Sequence, residues 1–247
     1  MALAEQAEKC FGSQIEITTS LAGRTHHPVS PAGTVRLGGF GGVDGLITFL
    51  REEKIDALID ATHPFAIQIS RHARLAAETV KLPRLVLTRP PWRQHPQDKW
   101  SIVNDVPGAV AAVRMLAERN RKTRLKVFLT IGSQEVAPFF LLTETDFILR
   151  QIDPQKEIMP VNVRIILGRG PFTFENEVEI LTQQRVQILV AKASGGAATY
   201  PKIAAARQMQ IPVIMIARPD AEAGETVTEV TSALKWMAEK LTVKPYE

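Results

Sequence analysis

Four short stretches concentrate residues that could bind or transform a small anionic molecule. "SLAGR" places Ser20 and Arg24 after the run "QIEITT". "GGFGG" sets Gly38, Gly39, Gly41 and Gly42 around Phe40. "DATHPFA" puts Asp60, Thr62 and His63 directly after "IDALI". "KASGGAAT" carries Lys192, Ser194, Gly195 and Gly196 just ahead of Lys202. Glycine has no Cβ and reaches φ > 0, so a run of four suits close approach of backbone to a ligand, with a tight strand-to-helix turn as the alternative. In dinucleotide folds, an acidic residue after the second strand holds the ribose 2′-hydroxyl of NAD, whereas an Arg suits the 2′-phosphate of NADP. Residues 17–33 contain hydroxyls and Arg24 but no carboxylate. That points to NADPH, against an Arg that merely caps its loop.

His63 has three readings. Imidazole titrates near neutrality and serves as a general acid or base. It could also hold an anion, or brace the next turn. Thr62 and the N–H groups of a following helix start would form an anion site; Asp60 is expected to cap or orient its loop. The N–H groups after "SGG" could receive a phosphate or carboxylate, with Lys192, Lys202 and Arg207 nearby; solvated surface is the alternative for Lys202 and Arg207. "TIGSQE" (130–135) reads equally as a helix start capped by Ser133. No Cys/His pair has zinc spacing, and neither a P-loop nor a G-x-S-x-G elbow occurs.

The elements that must position these residues alternate. Helical spacing marks 1–10, 43–50 (Val43, Leu46, Ile47, Leu50), the stretch after Pro64 (Phe65, Ile69, Ala73, Ala76, Val80), 106–117, 199–209 and 230–241. Strands are expected at 14–20, 34–37, 55–59, 84–88, 100–103, 125–130, 147–150, 186–192 and 212–217, with 151–175 mostly loop. Pro64 is expected to open its helix. Alternation of this kind implies parallel, doubly wound sheets, with ligands outside the carboxyl ends of strands, where all these motifs fall. "RPPWRQHPQDK" (89–99) punctuates the chain, so we expect domains at 1–98 and 99–247.

The 247 residues are 45% hydrophobic and 23% charged, enough for one large core or two smaller ones. No apolar stretch is long enough to cross a membrane, and the N-terminus lacks the basic start and apolar core of a signal peptide. The one cysteine, Cys10, excludes an internal disulfide framework and fits a reducing cytoplasm. A net charge of +4 suits an anionic partner. With scattered cations and few aromatics, nucleic acid is not that partner, and "RNRKTR" (119–124) reads as a helix end.

"LAGRT", "RLGGFGG", "IDATHPFA", "LVLTRPPW" and "VAKASGGAATYPKIAAARQMQIPVIMIARP", in this order over residues 14–219, resemble the precorrin-6A reductase family of cobalamin biosynthesis. The resemblance implies an α/β fold of two Rossmann-like domains with parallel sheets and an active cleft between them. It implies a cytoplasmic oxidoreductase acting on CH–CH groups, which uses NADPH to reduce one double bond of the precorrin-6A macrocycle, or its cobalt-bearing counterpart, to precorrin-6B. Ser20, Arg24, Gly38 to Gly42 with Phe40, and Thr62 would then face the cofactor. Lys192, Ser194, Gly195, Gly196 and Lys202 would face a polycarboxylate tetrapyrrole, with His63, or water, as proton source. A monomer or weak homodimer is expected, with no metal, nucleic acid or membrane partner. Family members usually begin with a strand and a "GGT" loop that cradles the cofactor pyrophosphate, whereas Met1 here falls inside the helix that follows. The first strand of domain 1 is therefore expected to be missing and NADPH binding to be weak. The alternatives are another NADPH-dependent reductase of a small polyanion and a non-catalytic nucleotide- or tetrapyrrole-binding remnant.

Overall fold

The computed structural model describes residues 2–23, 31–120, 123–154 and 158–243. In chain order its elements are α1 (Ala2–Phe11), β1 (Thr18–Leu21), β2 (Thr34–Leu37), α2 (Val43–Glu52), β3 (Leu58–Asp60), α3 (Ile67–Val80), β4 (Arg84–Leu87), β5 (Trp100–Val103), α4 (Val106–Arg119), β6 (Leu125–Leu129) and α5 (Ala137–Phe140). They continue with β7 (Thr145–Gln151), β8 (Val163–Leu167), α6 (Phe174–Gln183), β9 (Ile188–Lys192), α7 (Pro201–Gln208), β10 (Val213–Ile216), β11 (Glu225–Val227) and α8 (Val230–Leu241).

The chain forms two compact units, Met1–Arg89 with Asp220–Glu247, and Pro90–Pro219. The division drawn from the sequence at 98/99 differs in two ways. The 90–99 loop belongs with the second unit because Asp98 is ion-paired to Arg207 of α7 at 2.8 Å and Trp92 Nε1 donates to the Gly196 carbonyl. The C-terminal segment returns to the first unit because β11 pairs with β4 and α8 packs on α1.

In the first unit, every strand pairing is parallel, but the strands fall into two sheets, β1-β2 and β11-β4-β3. Among the described residues, β1 and β3 each have one edge without a paired strand. Both sheets still feed one apolar cluster: Ile15 and Ile17 before β1, and Ile59 of β3, pack with Phe11, Leu85, Trp236 and Met237. A second cluster joins α2 to α3 through Leu46, Leu50, Ala73 and Ala76, with Phe40 and Leu58 against it.

The second unit is a six-stranded parallel sheet in the order β5-β10-β9-β6-β7-β8. Its central strands are largely apolar, "LKVFL", "ILVAK" and "VIMI", interrupted only by Lys126 and ended by Lys192, as expected where both faces are covered by helices. From β6 the chain moves to β7 on one side, and from β9 to β10 on the other. That reversal between neighbouring strands opens a crevice at their carboxyl ends, where "TIGSQE" and "KASGGAAT" lie.

Several local expectations change; the strand expected at 14–20, for one, begins at Thr18 because Gly12–Gln14 form a 3-10 turn. The helix expected from Pro64 begins at Ile67, because His63 to Ala66 close a turn of their own, with the Ala66 N–H bonded to the His63 carbonyl at 2.7 Å. The strand expected at 55–59 begins at Leu58, since Ile55 still bonds to Leu50 at the end of α2. The stretch 151–175, expected to be loop, contains β8 and the start of α6.

Candidate functional site

In the first unit, the β1–β2 ladder brings two of the motifs together. Ser20 lies opposite Arg36, and the Gly38 N–H bonds to the Leu21 carbonyl at 2.9 Å. Arg24 lies outside the described residues. From β2 the chain enters Gly38–Gly42, where a Cβ on Gly38, Gly39, Gly41 or Gly42 would meet nothing within 4 Å. The backbone of this loop is open to an approaching group. No N–H from Gly39 to Gly42 is bonded among the described residues, and α2 starts at Gly42 without a side-chain cap. Unsatisfied N–H groups at a helix start favour phosphate oxygens, so this loop fits a nucleotide cofactor. A groove of about 460 Å³, lined by Val43, Ile67, Gln68, Arg71, His72 and Leu75, opens beside the start of α2.

Sequence reasoning missed the residue that holds this loop. Arg36 donates to the carbonyls of Gly38 (2.8 Å) and Gly39 (2.9 Å), and its guanidinium lies 3.9 Å from the Phe40 ring centroid. Phe40 is therefore a stacking partner within the protein as well as part of the glycine run. Gly45 was also missed: a Cβ there would fall 1.7 Å from the Phe40 carbonyl oxygen, so only glycine lets the loop fold back on α2. An Arg two residues before a glycine run was the readable signal.

After β3, Asp60 is 4% exposed. Its Oδ1 accepts from the Thr62 N–H (3.1 Å) and hydroxyl (2.7 Å). Asp60 thus orients its loop, as the sequence suggested. The Thr62 hydroxyl spends its proton on Asp60 and accepts from Ser70 Oγ at 3.0 Å. Its side chain anchors the turn, and any cofactor contact falls to its remaining lone pair. Asp60 Oδ2 stands 3.8 Å from Arg84 Nη1, both atoms buried without a hydrogen bond. His63 is exposed, and its Nδ1 accepts from the Phe65 N–H at 3.3 Å.

The second unit places the remaining residues in two groups. At the crevice between β6 and β9, Lys192 is ion-paired with Glu135 and the Thr130 hydroxyl bonds to the Val190 carbonyl at 3.0 Å. Lys192 therefore reaches any ligand already paired. Ser194, Gly195 and Gly196 are pinned from behind. Arg218 donates to the Ser194 carbonyl at 2.9 Å, and Gly196 bonds to the Pro90 carbonyl at 3.3 Å. A Cβ on Gly195 would fall 2.2 Å from that same oxygen. Gly195 is thus required by the passing backbone of Pro90, a packing reason the sequence did not show.

The second group is buried. Arg150, at the end of β7, makes two bonds to Glu177 of α6 at 2.6 and 2.7 Å. Its guanidinium also lies 4.2 Å from the Phe172 ring centroid and 4.8 Å from that of Phe128. Lys202 is 6% exposed, which overturns the solvated reading. Arg207, by contrast, is a brace, bonded to Asp98 and to the Tyr200 hydroxyl. Burial, with repulsion from Arg150 and partial relief from Glu177, pushes Lys202 down to about 8. Neither Arg150 nor Glu177 was singled out from the sequence. Among the described residues no group of three or more His, Cys, Asp or Glu could hold a metal, and no helix is long and apolar enough to cross a membrane.

Residues 2–238 match the family described as precorrin-6x reductase CbiJ/CobK. The chain is 42% identical over 224 residues to the precorrin-6A reductase of Rhodococcus erythropolis, covering 90% of this chain and 88% of the relative. A cobalt-precorrin-6A reductase of Priestia megaterium is 27% identical over 205 residues, 77% of each chain. A solved structure of CobK precorrin-6A reductase superposes with a TM-score of 0.88 at 35% identity, covering 97% of this chain and 92% of that one.

Proposed function

The chain belongs to the precorrin-6x reductase family, and we propose that it reduces metal-free precorrin-6A to precorrin-6B with NADPH. It is an oxidoreductase of cobalamin biosynthesis that acts on a carbon–carbon double bond. The single observation that carries the reading is the match to precorrin-6A reductase across nine-tenths of the chain. The lower identity to relatives named for the cobalt-bearing macrocycle favours the metal-free substrate.

Reduction adds a hydride to one carbon of the double bond and a proton to the other. NADPH supplies the hydride when bound. The open N–H groups of Gly39 to Gly42 receive its phosphate oxygens, Ser20 and Arg24 select its 2′-phosphate, and Thr62 holds the turn that borders it. His63 is the proton source. Lys192 in its pair with Glu135, Lys202 and the Ser194–Gly196 turn serve the substrate carboxylates, whose charge suits a basic protein. The enzyme works in the cytoplasm, as a monomer or weak homodimer.

The test is absorbance-monitored NADPH consumption with precorrin-6A. Turnover with NADPH at least tenfold more efficient than with NADH is expected; no turnover with either overturns the reading. A second measurement examines the loop. Arg36→Ala removes two charged hydrogen bonds and a stacked cation, so the NADPH Kd should rise about tenfold, roughly 1.4 kcal/mol, with little change in kcat at saturation. An unchanged Kd by fluorescence titration would show that the loop holds its shape without Arg36.

A further inference from the structure

Asp60 is a buried charge that neither the hydride transfer nor the proton transfer uses. Its residue is 4% exposed, and a carboxylate out of water needs donors and a countercharge. Oδ1 has its donors, the Thr62 N–H at 3.1 Å and the Thr62 hydroxyl at 2.7 Å. Oδ2 is buried without one. Among the described residues its ion-pair partner is Arg84, at the start of the neighbouring strand β4, whose Nη1 lies 3.8 Å away. The Arg84 side chain is 6% exposed, and this Nη1 is likewise buried without a hydrogen bond. A separation of 3.8 Å is too long for a hydrogen bond, so the two groups interact as charges. Away from water, that attraction is screened far less than at the surface.

Arg84 is itself held in place. Its Nη2 donates to the Ala223 carbonyl. Gly224 follows at φ +138°, and a Cβ there would fall 2.8 Å from the same nitrogen, so the segment before β11 is shaped around the guanidinium. Glu222 ties that segment to α3 through an ion pair with Arg74 at 2.6 Å. At the other end stands the turn that carries His63. Thr62, fixed on Asp60, meets Ser70 of α3 at 3.0 Å, and the His63 carbonyl accepts from the Ala66 N–H at 2.7 Å. The Arg84–Asp60 pair thus links the C-terminal segment to the His63 turn.

We propose that Arg84 is a positioning residue for the reduction: its charge balances Asp60, and the balanced carboxylate holds the Thr62–His63 turn in the shape from which His63 acts. The inference rests on the reductase reading, with His63 as the proton source, and deepens it. Without the guanidinium, Asp60 is a lone buried charge. Its relief is to turn outwards into water, which releases Thr62.

The test compares wild type with Arg84→Met, which keeps the bulk and removes the charge, and with Arg84→Lys, which keeps the charge. At saturating NADPH and precorrin-6A, Arg84→Met should lower kcat about tenfold or more with the precorrin-6A KM within about twofold, and Arg84→Lys should recover part of the loss. In a His63→Ala background Arg84→Met should cost nothing further; an equal loss in both backgrounds would assign Arg84 a general structural role and overturn the proposal. Asp60→Asn/Arg84→Met buries no charge and should be faster than Asp60→Asn alone, a comparison that holds even where Arg84→Met does not fold. A double variant slower than Asp60→Asn overturns the pairing. Amide hydrogen exchange separates this from failure of the reductase reading. In Arg84→Met the Thr62, Phe65 and Ala66 amides should exchange about tenfold faster, while those of β9 in the other unit keep their rates. If they do so, but wild type does not turn over precorrin-6A, the brace stands and the assigned reaction falls. If precorrin-6A is turned over and Arg84→Met changes neither kcat nor exchange, the reaction stands and the brace falls.

Discussion

His63→Ala is expected to slow precorrin-6A reduction about 10²-fold or more at saturating substrate and NADPH, the usual contribution of a positioned general acid. The Phe65 N–H donates to Nδ1 at 3.3 Å, so a proton given to the substrate would be carried on Nε2. His63→Gln separates the two surviving roles. The amide can donate a hydrogen bond but has no acidic proton, so it should be nearly as slow as Ala. A Gln variant close to wild-type rate would assign His63 to hydrogen bonding and leave protonation to water.

The second large effect concerns stability. Glu177→Gln should cost about 3–5 kcal/mol, because it strands the guanidinium of Arg150 and brings it against Lys202 with nothing between them to neutralise either. Lys202→Met should restore part of that loss, so the pair is non-additive in a double-mutant cycle. Wild-type stability should itself depend on pH. Lys202 titrates at about 8 in the native state against 10.5 for an ordinary lysine. Between those values the unfolded chain holds a proton that the folded chain does not, so stability rises with pH across that window, by about 3 kcal/mol at most. Below pH 8 the penalty of the buried ammonium is fully present. Urea unfolding at pH 7 and pH 10 measures both effects; a Glu177→Gln protein as stable as wild type would show that water reaches the cluster.

The parallel α/β architecture was legible because apolar runs of four to six residues alternate with helical spacing, and the helices at 43–52, 106–119 and 230–241 carry that signal almost to the residue. What was lost had weaker local grammar. The strand β11 is three residues, Glu-Thr-Val, and exists through its partner β4. The helix α6 did announce itself, with Thr173 capping the Asn176 N–H and two acidic residues in its first turn, but the prolines before it drew the reading towards loop. Among candidate site residues, those with a local signal in the chain were the ones singled out, such as Gly38, Gly39, Gly41 and Gly42, whose Cβ directions are open. Residues that act on other residues were not. Arg36, Gly45, Arg150 and Glu177 take their meaning from partners up to 27 positions away or from a carbonyl folded back in space. Gly195 also has a packing cause that the sequence did not show, since Pro90, more than a hundred residues earlier, excludes a side chain there.

The return of the last segment to the first unit has a consequence for how the chain is made. Residues 90–219 contain every strand of the six-stranded sheet, so that unit can complete itself as soon as it leaves the ribosome. The first unit cannot. Its cluster joins Ala7 and Phe11 to Ala233, Trp236 and Met237, and β4 waits for β11. At typical synthesis speeds, the intervening 130 or so residues take roughly 10 s to translate. For that interval α1 carries an uncovered apolar face and β4 an unpaired edge. The unit that starts first along this sequence is thus completed after the unit inserted into it.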